Sequence, residues 1–143
     1  METSNEKTAL RRLLLEKRDV TSYDFIKLAS QKINNRLKQI ESFRSAKKIA
    51  CYYPIGSEVK TLDIMQELLG DGKEIFLPKV EGENLSFRKI TGLDDLEKGS
   101  FDIMEPKENC PKTEDVEVVL VPTVGITKEG IIIENLIDKF FSG

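Results

Sequence analysis

Residues 49–61 read Ile49-Ala50-Cys51-Tyr52-Tyr53-Pro54-Ile55-Gly56-Ser57-Glu58-Val59-Lys60-Thr61. An apolar, β-prone run in this stretch ends at Pro54 and Gly56, and a helical pattern begins at about Thr61. Between them stands a single carboxylate, Glu58. Ligands of open α/β sheets bind at the carboxyl ends of the strands. The stretch therefore predicts an α/β fold in which Glu58 faces a ligand.

The order of apolar patterns predicts a three-layer α/β sandwich with a mostly parallel sheet. Helical periodicity indicates helices over 6–18, 21–40 and 62–69. Apolar runs indicate strands over 48–53, 74–78, 85–90 and 116–121. A strand-helix-strand unit of this length implies a parallel pair with a right-handed crossover. We expect 116–121 to lie centrally, 94–98 to form one helical turn, and 103–115 to be a surface loop.

The second helix carries two further predictions. Thr21 and Asp24 have capping-box-like spacing at its start, with Asp in place of the usual Glu or Gln. Its apolar residues recur at helical spacing and so predict an apolar face. That face comprises Phe25, Leu28, Ala29, Ile33, Leu37 and Ile40.

The composition suits one domain spanning residues 1–143. Charged residues make up 33% and hydrophobic residues 39%, the net charge is −3, and the basic residues are spread along the chain. This balance argues against a nucleic-acid or membrane partner, and no apolar run is long enough for a membrane span. Cys51 and Cys110 match no metal or redox spacing. We therefore expect a cytoplasmic protein without a disulfide, and composition leaves its oligomeric state open.

Histidine is absent from the chain. Its absence excludes Ser-His-Asp and Cys-His catalysis and removes the commonest transition-metal ligand. Any chemistry must then rest on carboxylates, lysines, tyrosines or a bound cofactor. The sequence identifies no residue as catalytic and none as a metal ligand.

Five polar or aromatic residues are candidate binding groups. Lys7 and Arg11 are four residues apart, so they share a helix face and could hold a polyphosphate; a solvated basic edge is the alternative. Tyr53 could stack on a flat heterocycle while Glu58 accepts its N–H groups; half-buried packing and a helix N-terminal charge are the alternatives. Lys79 is either another cation near the ligand or a snorkelling surface lysine.

Several stretches fall in the order and spacing found in one protein family. They are Lys7-x-x-Leu10-Arg11 with Arg18, Tyr53 to Thr61 with its Gly-Ser-Glu-Val-x-Thr, Leu77-Pro78-Lys79-Val80, Leu96 to Pro106 with its Phe-x-Ile-x-Glu-Pro, and Val119-Leu120-Val121-Pro122. Together they resemble the 5-formyltetrahydrofolate cyclo-ligases, also called methenyltetrahydrofolate synthetases, over about the first 130 of 143 residues.

The resemblance implies a fold like that of ribose-5-phosphate isomerases and CoA transferases. It also implies ATP- and Mg²⁺-dependent cyclisation of 5-formyltetrahydrofolate to 5,10-methenyltetrahydrofolate. Residues Lys7, Thr8, Ala9, Leu10 and Arg11 would then bind ATP, and Tyr53 and Glu58 would bind the folate. Such a reaction mainly needs positioning and stabilisation of phosphate charge, which a chain without histidine can supply.

The segment after Pro122 departs from the family pattern. Members of the family continue with Pro-Gly-x-x-Phe-Asp and a glycine-rich Gly-x-Gly-x-Gly-Tyr-Tyr-Asp loop, whereas this chain has Gly130-Ile131-Ile132-Ile133 and then Asp138-Lys139-Phe140. Asp138 is similar to the end of that loop and is a weaker binding candidate, as is Lys79. Three alternatives follow: a cyclo-ligase with an unusual phosphate loop and weak ATP turnover, a non-catalytic relative that still binds folate or nucleotide, and a shortened gene product with an exposed sheet edge.

Overall fold

A computed structural model describes residues 4–99 and 102–123. The helices of this part are α1 (Ser4–Asp19), α2 (Tyr23–Leu37), α3 (Glu41–Ser45) and α4 (Leu62–Gly70), with a 3₁₀ turn at Leu93–Asp95. Its strands are β1 (Lys48–Ala50), β2 (Glu74–Glu81), β3 (Asn84–Ile90), β4 (Leu96–Lys98), β5 (Met104–Pro106), β6 (Lys112–Thr113) and β7 (Val118–Val119).

Five of these strands form one mixed sheet in the order β6-β3-β2-β1-β7. β1 runs parallel to both neighbours, with Ile49 opposite Ile75 on one side and Val118 on the other. β3 pairs antiparallel with β2 and with β6, so four of the five strands point in one direction. The predicted α/β class with a mostly parallel sheet is confirmed.

The hydrophobic core lies where α4 packs on the centre of the sheet. Ile49 and Ile75 of the sheet are fully buried, and α4 contributes Ile64, Met65 and Leu68 at helical spacing. Burial of each such side chain is worth about 1.5–3 kcal/mol. The β1-α4-β2 unit therefore holds the sheet in the register from which the site is built.

α2 buries only part of the apolar face that its sequence predicts, since Leu37 packs half-buried against the core and Ala29 is half-buried. Phe25 is 63% exposed and Leu28 is 52% exposed, whereas Ser30 and Asn34 are buried. The prediction is also wrong for Ile33 and Ile40, which are 41% and 49% exposed. The buried positions are shifted by one residue from the predicted ones, which corresponds to a rotation of about 100° in a helix of 3.6 residues per turn.

The cause of this rotation is a pair of hydrogen bonds to Lys60, the residue before α4's N-cap. The hydroxyl of Ser30 accepts the Lys60 N–H at 2.8 Å and donates to the Ile26 carbonyl at 2.7 Å. The amide nitrogen of Asn34 donates to the Lys60 carbonyl at 3.1 Å. An unpaired buried backbone group costs as much as a lost hydrogen bond, so α2 presents polar side chains here.

The ends of α2 also differ from the prediction. Its N-cap is Ser22, whose hydroxyl accepts the Phe25 N–H at 3.2 Å, and not Thr21. The Thr21 hydroxyl donates instead to the Lys17 carbonyl at the end of α1. The helix ends at Leu37 and not at Ile40, and α3 follows.

The stretch 93–113 contains more extended structure than the sequence indicates. Residues 94–98 are not one helical turn, because the 3₁₀ turn gives way to β4 at Leu96. Residues 103–115 are not only a loop, because β5 pairs with β4 and β6 pairs with β3. Strands of two or three residues carry no readable periodicity, and they form here because a neighbouring strand offers an edge.

In the sheet as described, β7 does not occupy the position that the sequence predicts for it. Within the described ranges β7 is the last strand of the sheet order, so its predicted central position is not found there. Its residues Val118 and Val119 are half-buried.

Among the helices that the structure describes, none is both long and apolar enough to cross a bilayer.

Candidate ligand-binding site

The site is built on the segment 51–61, which joins β1 to α4. The Tyr52 hydroxyl donates to the Val59 carbonyl at 2.8 Å, and the Thr61 hydroxyl donates to the Tyr52 carbonyl at 2.8 Å. Gly56 turns the chain with a φ of +53°, a conformation that L side chains rarely adopt. Burial, together with the charge of Glu58, raises the pKa of the Tyr52 phenol. The phenol therefore stays protonated and acts as a donor at neutral pH.

The end of α1 ties this segment from outside. The Arg18 Nε donates to the Ser57 hydroxyl at 2.7 Å, and that hydroxyl donates in turn to the Asp19 carboxylate. Together with the α2 contacts to Lys60, these bonds fix the segment from two helices. A segment held in this way presents its side chains without further ordering, which lowers the entropic cost of binding.

Glu58 is the buried carboxylate of the segment. It is 5% exposed, and its Oε1 accepts the Ile55 N–H at 2.9 Å. The Ile55 carbonyl in turn accepts the Glu58 N–H at 3.1 Å. The alternative of a helix N-terminal charge is wrong, since α4 begins at Leu62 with Thr61 as N-cap. A carboxylate fixed by the main chain and removed from water is suited to recognising a ligand's N–H groups.

A cavity of about 390 Å³ opens beside Glu58, at the carboxyl ends of β1 and β7. This volume falls in the range of small-molecule sites. Tyr53 and Glu58 both line it, so the structure brings the two predicted folate-binding residues to one cavity. Most of the other lining residues are apolar: Ile55, Pro78, Val80, Leu85, Phe87, Ile103, Met104, Val119, Leu120, Val121 and Pro122.

Cys51 also lines this cavity but is not a nucleophile. The residue is 2% exposed, and burial raises the pKa of its thiol to about 12. Thiolate reactivity requires a lowered pKa, so the thiol is inert at neutral pH. Cys51 is a core residue.

A second cavity of about 270 Å³ is also lined by Glu58. Glu58 and Tyr52 line both cavities, and Arg18 and Asn34 line this one alone. The Asn34 Oδ1 is buried and has no hydrogen-bond partner within the described residues. Glu58 therefore contributes to the walls of both an apolar cavity and a smaller one that has a cation, Arg18, at its wall.

Lys79 is a buried ion-pair residue and not a snorkelling surface lysine. It is 6% exposed, and its ammonium lies 3.0 Å from the Glu105 Oε1. It also donates to the Pro106 carbonyl at 2.9 Å. Alternate side chains of a strand point to opposite faces, and from this part of β2 the residues that line the larger cavity are Pro78 and Val80. Glu105, and not Lys79, meets that cavity.

The predicted ATP-binding residues lie toward the N-terminus of α1, away from Arg18 at the other end of the helix. Lys7 and Leu10 are half-buried, Thr8 and Ala9 are exposed, and Arg11 is 9% exposed. The helical rise places Arg11 about 10 Å and Lys7 about 16 Å from Arg18 along the axis. The described linings of the two cavities include none of residues 7–11. Their role in ATP binding stays a prediction.

Asp138 lies outside the described residues. Within residues 4–99 and 102–123, no group of three or more Cys, Asp or Glu side chains could hold a metal ion. The structure therefore assigns no described residue to Mg²⁺.

Sequence reasoning missed Glu105 and the two α2 residues that hold the segment. Glu105 stands in Phe-x-Ile-x-Glu-Pro, which alone indicates an ordered loop. A carboxylate between Met104 and Pro106 was the available signal, because a charged residue in an apolar stretch needs a partner. For Ser30 and Asn34 the signal was their i, i+4 spacing, which places them on one helix face.

Fold and cavity together define an α/β domain with a cavity of small-molecule size at the carboxyl ends of parallel strands. Residues 3–133 match the 5-formyltetrahydrofolate cyclo-ligase family, and the chain belongs to that family. It is 27% identical over 137 residues to a 5-formyltetrahydrofolate cyclo-ligase of Saccharomyces cerevisiae, covering 82% of this chain and 65% of the yeast protein. It is 25% identical over 108 residues to one of Haemophilus influenzae, covering 71% of this chain and 58% of that protein.

Solved structures agree with this assignment. The 5,10-methenyltetrahydrofolate synthetase of Aquifex aeolicus is similar with a TM-score of 0.80 and 35% identity, over 90% of this chain and 66% of that one. The synthetase of Mycoplasma pneumoniae is similar with a TM-score of 0.69 and 25% identity, over 90% of this chain and 70% of that one. The chain thus spans about two thirds or less of the curated relatives it matches.

Proposed function

We propose that this chain binds 5-formyltetrahydrofolate in the larger cavity and converts it, with ATP and Mg²⁺, to 5,10-methenyltetrahydrofolate. The observation that carries the proposal is the buried Glu58 carboxylate beside Tyr53 on a cavity of about 390 Å³, in a chain of the cyclo-ligase family. The proposal includes residues 1–143 acting as one domain in the cytoplasm. It also includes a fold related to that of ribose-5-phosphate isomerases and CoA transferases.

The chain's own residues would supply positioning. Tyr53 offers a ring face to the flat pteridine, and Glu58 accepts N–H groups from it. The apolar wall excludes water from the formyl group. ATP, when bound, would supply a phosphoryl group to the formyl oxygen and release ADP; ring closure by N10, with loss of its proton, would then expel that oxygen as phosphate.

Arg11 fits a polyphosphate. Its guanidinium is buried, and its Nε lacks a hydrogen-bond partner within the described residues. A buried, incompletely paired cation is stabilised by an anion, and Arg binds phosphate well. Mg²⁺ is usually bound through phosphates and one or two carboxylates, so it would arrive with the nucleotide.

Titration with 5-formyltetrahydrofolate tests the folate site. Replacing Glu58 with Ala should weaken binding at least about tenfold, or about 1.4 kcal/mol, because the ligand loses its buried acceptor. Glu58→Gln is the second variant, since its amide oxygen can still accept the Ile55 N–H and keep the turn. Glu114→Ala, an exposed carboxylate, is the control. Unchanged affinity in both Glu58 variants would remove Glu58 from the site.

A matched pair on α1 tests the ATP assignment. Arg11→Ala should weaken ATP binding about tenfold because a charge-assisted contact is lost. The exposed neighbour in Arg12→Ala should leave it unchanged. Equal losses in both variants would show a non-specific charge effect.

The second candidate is a non-catalytic relative that retains folate or nucleotide binding. Residues 123–143 favour it, because they lack the closely spaced glycines whose N–H groups could surround a phosphate. The ultraviolet absorption of the methenyl product decides between the two. Folate binding without product in the presence of ATP and Mg²⁺ would favour the binding protein.

A further inference from the structure

We propose that Glu105 is a second ligand-binding carboxylate of the larger cavity, held in place by Lys79 and Gly99, and that it accepts N–H groups of the ligand's heterocycle. The identity of the ligand rests on the proposed function. The assignment of Glu105 rests on the geometry of β2, β5 and the residue after β4.

Glu105 reaches the cavity wall from β5 and is nearly buried, with 9% of its surface exposed. Its Oε1 accepts from the Lys79 ammonium at 3.0 Å, and its Oε2 accepts from the Val80 N–H at 3.4 Å. A carboxylate offers about four acceptor positions, and the second of these bonds is long. Glu105 can therefore accept further donors from the side of the cavity.

Lys79 is committed to the protein. Besides Glu105, its ammonium donates to the Pro106 carbonyl at 2.9 Å and lies 3.8 Å from the Glu108 Oε2. The ion pair compensates for the burial of the Glu105 carboxylate, which would be costly without a partner in an apolar wall. Lys79 is thus a positioning residue that acts through Glu105.

Gly99 leaves room for the Glu105 side chain. A Cβ built on Gly99 would overlap the Cγ, Cδ and Oε1 atoms of the Glu105 side chain. The Gly99 N–H donates to the Ile103 carbonyl at 2.9 Å, so the backbone there is tied to the β4-β5 hairpin. The carboxylate therefore occupies the space that any larger residue at position 99 would take.

The charges on the cavity wall indicate which end of a folate enters. Its described charged lining residues are Glu58, Glu83 and Glu105, all of them acidic. An anionic glutamate tail would be repelled there, whereas a reduced pteridine presents ring and amino N–H groups as donors. A buried ion pair is weak as a stabilising device, so a binding role accounts for Lys79–Glu105 better than packing does.

Fragment binding by calorimetry tests the role of Glu105. Glu105→Gln should weaken binding of 5-formyl-6-methyltetrahydropterin, the pterin fragment, about tenfold, because a charged acceptor is lost. It should leave the affinity for p-aminobenzoylglutamate, the fragment from the other end of folate, unchanged. Glu108→Gln makes the same chemical change beside the same lysine, on a side chain that is 85% exposed, and should alter neither affinity.

Two more variants separate binding from structure. Gly99→Ala displaces the carboxylate while leaving both charges of the pair, and it should weaken the pterin fragment as Glu105→Gln does. Lys79→Met should also weaken it, and the double variant Lys79→Met/Glu105→Gln should be no weaker than Glu105→Gln alone, since Lys79 acts only through Glu105. Losses that add in the double variant would mean that Lys79 contacts the ligand directly and would overturn its positioning role.

The outcomes distinguish this inference from the proposed function. Normal pterin affinity in Glu105→Gln and Gly99→Ala, with a wild-type chain that binds, would overturn the role of Glu105 and leave the folate site standing. Weaker binding of p-aminobenzoylglutamate, with unchanged binding of the pterin fragment, would also overturn it. Glu105 would then face the other end of the ligand. A wild-type chain that binds neither fragment nor the whole folate would overturn the proposed function and this inference together.

Discussion

α4 and α2 have comparable apolar periodicity in the sequence and dock in opposite ways. α4 buries Ile64, Met65 and Leu68 against the sheet. α2 buries Ser30 and Asn34 and leaves apolar side chains such as Phe25 exposed. The difference lies in what each helix meets: α4 meets the apolar face of β1 and β2, whereas α2 meets the backbone of the segment that carries Glu58.

This comparison shows that a helix can serve a fold or a site. α4 supplies hydrophobic stabilisation, which is proportional to the apolar area removed from water. α2 supplies one hydrogen-bond acceptor and one donor to Lys60, and these determine the path of the segment 51–61. Substitutions on the two helices should therefore affect different properties.

The largest effect is expected on α4. Leu68→Ala should lower the free energy of unfolding by about 2–5 kcal/mol, because a buried leucine leaves a cavity when truncated. Leu68 is 6% exposed. Denaturant unfolding measures the change, and a loss below about 1 kcal/mol would show that α4 is not the main support of the sheet.

An intermediate effect is expected at the polar contact of α2. Asn34→Ala should cost about 1–3 kcal/mol, because the Lys60 carbonyl loses its donor. The same variant should weaken binding of 5-formyltetrahydrofolate, since Lys60 lies two residues from Glu58. Asn35→Ala is the matched control, because Asn35 is exposed on the same helix.

A selective outcome at Asn34 would sharpen the comparison. Loss of stability with full retention of binding would contradict it, because α2 would then support the fold as α4 does. Unfolding curves and ligand titrations on the same preparations distinguish the two.

The smallest effect is expected on the exposed face of α2. Leu28→Ala should change the unfolding free energy by no more than about 0.5 kcal/mol, as is usual for surface positions. Leu28 is 52% exposed, so it makes a matched pair with Leu68 on α4. A loss comparable to that of Leu68→Ala would mean that Leu28 is covered in solution.

Much of the sheet could be predicted because its central strands are continuous apolar runs. Ile75-Phe76-Leu77 predicts β2, and the run after Lys48 predicts β1. β4, β5 and β6 could not be predicted, since strands of two or three residues are specified by their partners and not by their own pattern. The rotation of α2 has the same character, because it depends on the backbone groups of Lys60.

The residues of the candidate site likewise divide into those that the sequence predicts and those that it does not. Tyr53 and Glu58 could be found because the Pro-Gly turn after a strand locates the edge where ligands bind. Glu105 could not, because its position on the cavity wall depends on the pairing of β5 with β4 and on Lys79 across from it. Local sequence identifies side chains near a strand end, and only tertiary contacts show which of them meet.

The double attachment of Lys60 makes its amide a built-in reporter. Its N–H is held by the Ser30 hydroxyl and not by another backbone group. Exchange of that proton for deuterium requires the bond to Ser30 to open, so its rate reports on the contact between α2 and the segment. The Lys60 amide thus follows the separation of α2 from the segment that carries Glu58 without any attached probe.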